Sequence, residues 1–253
     1  MFERKYIKLI RLAVAVVMAV MLVQVYSQAQ VHTIDKSFDV EPGGTLQINI
    51  RAGDIVVRGW EYNEVRVEAE VYGTARTLDN LELRLEQDGN DIVIRTRHAG
   101  RHSLRSMRGR HRAERIVFTI HVPYHYHVRT DIGAGRVDVD DLDGSVRVHS
   151  GAGSSTITNI YGTIDVNTGT GSITVSLLDN PEKVNLKTAT GSIKIHVPED
   201  INAQFSLNTA VGRVRSTLDH FKSSGSRMNF SYNEGGELIH ATTAVGSITV
   251  QSH

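Results

Sequence analysis

Eight arginines and three histidines stand against a single glutamate in "RTRHAGRHSLRSMRGRHRAER", residues 95–115. Arg95, Arg97, Arg101, Arg105, Arg108, Arg110, Arg112 and Arg115 carry planar guanidinium forks, which grip phosphate and carboxylate two-pronged. Such a cluster suits capture of a polyanion, with affinity that falls as salt screens it. The competing account is a solvated connection between two strands, since runs of like charge repel and often stay unfolded.

Histidines crowd the same region. Six of the twelve lie between positions 98 and 127, and His121, His125 and His127 share one parity of an apparent strand, the start of a metal site. Spacing alone fixes neither ligand number nor geometry, and the adjacent Tyr124 and Tyr126 fit an ordinary mixed surface, so no metal is assigned. In "DVDDLDG", residues 138–144, the aspartates Asp138, Asp140, Asp141 and Asp143 precede a glycine. They miss the EF-hand register and the nonapeptide calcium repeat, and read as turn chemistry with a polar face.

Two glycine-rich stretches, "SGAGSST" and "TGTGS", resemble phosphate cradles only in composition, because no lysine follows in register and no amphipathic helix opens behind them. Neither a G-x-S-x-G elbow nor an H-E-x-x-H pair occurs. Nothing in the sequence supports catalysis or a cofactor. Lysine plus arginine equals aspartate plus glutamate at 28 each, so global charge predicts no nucleic-acid partner.

The elements that must position these residues are all strands. A glycine followed by a small polar residue and an alternating β-branched pair recurs at Gly135, Gly144, Gly162, Gly171, Gly191, Gly212 and Gly246, with a shifted copy at Gly153. The step is nine residues as far as Gly171 and about twenty afterwards. Nine residues suggest a five-residue strand and a turn with the glycine in it. In "GSITV" the alternation sends Ile173 and Val175 inward and Ser172 and Thr174 outward. One unit buries too little to offset its own ordering, so the copies must stack.

The predicted fold is therefore all-β, a repetitive β-solenoid or toast-rack-like stack of short strands with no substantial helix. If the copies stack, Ser145, Thr163, Ser172, Thr174, Ser192 and Ser247 form a polar ladder. The stretch "RIVFTIHVPYHYHV" reads as one long strand with Ile116, Phe118, Ile120 and Val122 inward, and a hairpin is expected around residues 88–91.

Residues 1–29 read as a signal peptide: Arg4, Lys5, Lys8 and Arg11 precede an apolar run from Leu12 to Val23, and Ser27 and Ala29 suit cleavage before Gln30. The run would rise only about 18 Å as a helix, short of a bilayer core of roughly 30 Å. No later run is long enough to span, so the expected mature chain has no transmembrane segment. Zero cysteines exclude disulfides, thiolate metal sites and a lipid-bearing N-terminal cysteine. The expected organisation is a signal at 1–29, an N-terminal β region at 30–130 holding the basic loop, and a glycine-punctuated repeat region at 131–253.

The pattern "VPYHYHVRTDIGAGRVDVDDLDGSVRVHSGAGSSTITNIYGTIDVNTGTGSITV", then "TATGSIKIHVPEDINAQFSLNTAVGRV", resembles the DUF4097 family of adhesin-like bacterial exported proteins. The likeness covers residues 116–250 closely and 40–100 loosely. Its specific part is a valine-proline before an alternating strand, then T-x-x-G-x-I-x-V. The resemblance implies a toast-rack fold, an exported or envelope-associated place and no catalytic residues. The expected function is non-catalytic adhesin-like binding or scaffolding in the periplasm, at the surface or secreted, with an envelope polymer or a protein as partner. The alternative is an envelope-stress component acting through a membrane protein, since some relatives are joined to such modules.

Overall fold

Apolar residues alternate with polar ones on both sides of a glycine, and each such stretch folds as two strand arms that meet in a bend at that glycine, within one strand or between two. The computed structural model describes residues 30–73, 81–98, 115–218 and 221–252, and among these every regular element is a strand. No helix of the described residues is long and apolar enough to cross a membrane.

Strand β7 (His127–Leu142) shows the unit. Val128, Thr130 and Ile132 are buried before the bend, and Val137 and Val139 after it. The buried parity switches from even to odd across residues 133–135, so both arms turn their apolar sides to one interior. Strand β8 (Val146–Ile160) lies parallel to β7, with Val128 opposite Val146 and Val139 opposite Ile157. The structural repeat is thus eighteen residues. The nine-residue step of the sequence is half a rung, and the strands are longer than expected because one chain segment runs through both arms.

Parallel rungs stack on either side of this pair. β2 (Thr45–Trp60) precedes β7, and β9 (Thr163–Thr170) with β10 (Ile173–Ser176) follows β8 as the two arms of one rung. β11 (Lys183–Thr190) with β12 (Ile193–Val197) makes the next rung, then β16 (Glu237–Ser252), then β13 (Ala203–Leu218). The last two therefore stack in the reverse of their chain order. Ahead of β2, the arms of the first rung come from β5 (Asp91–His98) and β6 (Arg115–Pro123).

Antiparallel strands close both ends. β4 (Leu81–Asp88) pairs with β5, and β3 (Glu64–Gly73) and then β1 (Gln30–Asp39) follow β6. At the other end β15 (Arg227–Tyr232) and β14 (Phe221–Gly225) cap the two arms of β13. Phe205, Phe230 and Phe221 stack there, with ring centroids 4.8 and 4.0 Å apart, across the end of the core. One hydrophobic cluster runs from Phe38 through Val250, each fully buried valine or isoleucine contributing about 1.5–3 kcal/mol.

The bend column is built from glycine by necessity. Gly53, Gly135, Gly153, Gly171, Gly191, Gly246 and Gly212 succeed one another down the stack, inside the rungs and not at the turns where the sequence suggested them. Gly171 has φ +146°, and a Cβ on it would lie 1.6 Å from the Gly153 carbonyl oxygen. No side chain fits. Three residues upstream in the later rungs, a buried threonine hydroxyl donates to the bend carbonyl of the rung before: Thr188 to Gly171 at 3.2 Å, Thr243 to Gly191 at 3.2 Å and Thr209 to Gly246 at 3.0 Å. Gly144 and Gly162, in contrast, do sit at the outer turns, stacked against Tyr126 and Gly144 respectively.

Candidate binding face

Side chains of the first arm that point away from the core form rows across the rungs, because parallel pairing without stagger puts equivalent positions side by side. One row holds Gln47, Arg129, Arg147, Asp165, Asn185 and His240. The next, nearer the bend, holds Asn49, Asp131, His149, Asn167, Lys187 and Thr242. An open groove of about 610 Å³ follows this second row, lined by Asn49, Arg51, Thr96, Asp131, His149 and Asn167. A smaller one of about 210 Å³ lies between the first row and the outer turns, beside His127, Arg129, Ser145 and Arg147.

In the first row Arg147, Asp165 and Asn185 pair with one another, while Arg129 and His240 reach across to Asp131 and Thr242 of the second. Asn185 donates to Asp165 at 2.9 Å, and Arg147 lies 3.5 Å from the same carboxylate. Among the described residues, the Asp131 carboxylate reaches only Arg129, at 3.8 Å.

The arginines enter this picture through the first rung. β5 and β6 are its two arms, so the chain leaves at His98 and returns at Arg115 on either side of the bend, next to the Arg51 end of the groove. Arg95 stands in the second row, opposite Asn49, and pairs with Glu86 at 3.3 Å. Arg97 is exposed and faces Glu82 across the β4–β5 hairpin. Arg115 binds Asp54 at 2.7 Å. Burial pushes the Asp54 carboxyl up, but hydrogen bonds from the Arg115 guanidinium and the Arg136 N–H outweigh it, and the net shift is downward. Arg101, Arg105, Arg108, Arg110 and Arg112 lie outside the described residues.

The histidines of shared parity are parted. His121 ends near the close of β6 and stacks on Trp60, ring centroids 5.0 Å apart. His125 sits in the outer turn, 2.8 Å from Asp143, and His127 opens β7, where its Nδ1 accepts the Ser145 N–H at 3.0 Å. The single long strand read over them breaks after Pro123. No group of three metal-ligating side chains forms among the described residues.

The aspartates serve turns and rows. Asp141, with φ +58°, accepts a 2.8 Å hydrogen bond from Asn159, which takes the same left-handed shape one rung on. Burial and the neighbouring Asp141 raise the Asp140 carboxyl, with Arg58 opposing them. The predicted hydroxyl ladder splits in three: Ser172, Ser192 and Ser247 stand together past the bend, the first two 3.2 Å apart. Thr174 lies a row further on, beside Lys194. Ser145, in the outer turn, and Thr163, at the start of β9, belong to the other arm.

The row Asp131, His149, Asn167 was not singled out from the sequence. Its signal was present as the spacing of eighteen, which becomes meaningful once the rung, and not the half-rung, is the repeat.

The family model of the Toastrack DUF4097 domain matches residues 23–251. The chain belongs to that family. Among solved structures, the toastrack chain is similar to a candidate cell adhesion protein from Clostridium sporogenes ATCC 15579, at 15% identity, covering 88% of this chain and 100% of that one, with a TM-score of 0.49. Candidate adhesins from Bacteroides fragilis NCTC 9343 and Parabacteroides merdae ATCC 43184 follow, at 10% and 8% identity. They cover 87% and 88% of this toastrack chain and 97% and 96% of their own, with TM-scores of 0.28 and 0.33. No curated protein matches it.

Proposed function

We propose that this toastrack protein acts in the bacterial envelope by adhesin-like binding or scaffolding and not by catalysis, and that it captures anionic envelope polymer through the arginines of residues 95–115. In this reading residues 1–29 direct export and are removed, 30–130 carry the basic segment, and 131–253 supply the repeat surface. The observation that carries it is the placement of β5 and β6 as arms of one rung, which roots the segment at Arg97 and Arg115 beside an open polar groove. Guanidinium forks anchored at one bend can reach phosphates or carboxylates along a polymer lying on that face. Polar groups on the face stand in open rows and do not converge on a reacting centre, which favours binding over chemistry.

The test is retention on cell-wall or outer-membrane material. Replacing the eight arginines by glutamine is expected to abolish it. Unchanged retention would refute the reading.

A further inference from the structure

The second row of the outer face holds hydrogen-bonding capacity that the fold does not use. Asn49 on β2, Asp131 on β7, His149 on β8 and Asn167 on β9 stand in direct register on four successive rungs, about 4.8 Å apart. Among the described residues, Asn49, Arg51, Thr96, His149 and Asn167 make no side-chain hydrogen bond or ion pair with the protein, whereas in the neighbouring row Arg147 and Asn185 both pair with Asp165. Beside the row the wall is bare. A Cβ on Gly133 would lie 2.4 Å from the Arg51 carbonyl oxygen, and one on Gly151 would lie 2.5 Å from that of Gly133, so no side chain can stand there and close the groove.

The donor set defines the ligand. Two carboxamides that both donate and accept, an imidazole, and the opposed charges of Arg51 and Asp131 suit the hydroxyls and amides of a ligand with no net charge, whereas a phosphate chain would meet Asp131 unfavourably. The fixed rung spacing selects a ligand with a matching repeat along the stacking axis. An extended peptide advances about 3.3 Å per residue and loses register within two rungs. A pyranose with its glycosidic oxygen spans close to one rung.

We propose that this groove binds an extended neutral glycan along the stacking axis, one sugar per rung from Asn49 to Asn167. It adds a site to the arginine-based capture and does not depend on it.

Calorimetry or NMR titration of the chain from residue 30 tests it. The probes are cello- and chito-oligosaccharides of increasing length and dephosphorylated glycan strands cut from its own envelope, in salt near 1 M, where screening acts over about 3 Å. Affinity is expected to rise up to four sugars and then level off. His149→Ala with Asn167→Ala should weaken it about tenfold or more, while Thr156→Ala with Thr174→Ala, on the outer face of the other arm, should change nothing. No saturable binding by any probe, affinity indifferent to length, or indifference to the His149 and Asn167 changes would overturn the proposal. Glutamine at the arginines of residues 95–115 other than Arg95, which stands in the row beside Asn49, should leave this binding intact, which separates its failure from that of polyanion capture.

Discussion

Gly171 stacks on Gly153 so closely that a Cβ on the first would lie 1.6 Å from the carbonyl oxygen of the second. The contact belongs to the bend that joins the two arms of a rung, and Gly171 holds φ +146° to make it. Gly171→Ala is expected to destabilise by more than about 4 kcal/mol, in the tail of single-substitution effects. Gly89→Ala is the control: Gly89 also has positive φ, at +58°, but no atom of the described residues lies within 4 Å of a Cβ there, and about 1 kcal/mol is expected. Urea midpoints of the two variants check this, and equal shifts would contradict the stacked-bend account.

Two buried threonines should respond to valine in opposite ways. The Thr209 hydroxyl donates to the Gly246 carbonyl at 3.0 Å, so Thr209→Val removes a bond across rungs and should cost about 1–2 kcal/mol. The Thr130 hydroxyl is equally buried but has no hydrogen-bond partner among the described residues, and it stands between Ile48 and Val148. Thr130→Val should be neutral or stabilising by up to about 1 kcal/mol. Thermal unfolding of both variants gives the sign directly.

Tyr126 sets an alkaline limit. Its ring is fully buried at the outer turn, its hydroxyl donates to the Asn90 carbonyl, and burial, with Asp91 nearby, pushes the phenol well above its usual range. An unfolded tyrosine ionises near pH 10 while the folded one holds its proton. The unfolded state thus sheds protons first, and stability is complete below about pH 10 and declines above it. Tyr126→Phe should lower stability at neutral pH and flatten the decline between about pH 10 and 12, read by chemical denaturation at a series of pH values.

Much of the fold was legible because the core is written in simple alternation. Ile173 with Val175, and Ile116 with Phe118, Ile120 and Val122, face the interior as their parity requires. The half-rung and the rung could not be told apart, since the bend resets the parity and both arms offer the same glycine-β-branched text. Whether a glycine such as Gly135 turns the chain back or only bends it depends on the neighbouring rung's backbone. The reversed stacking of β16 and β13 has no local signal either, as each presents the same T-A-V-G bend to its neighbours. For the candidate face, Arg95 and Arg115 were visible by type, but their roots at one bend followed only from pairing. His121, His125 and His127 misled because shared parity assumes an unbroken strand, and the chain turns after Pro123.

The central claim is electrostatic capture of envelope polymer, and co-sedimentation of the chain from residue 30 with envelope fragments of its own cells, across a salt series, tests it most directly. Bound fraction should fall steeply as the screening length shrinks from about 10 Å at 0.1 M to about 3 Å at 1 M. Absence of binding at low salt, or binding that stays level across the series, would contradict it.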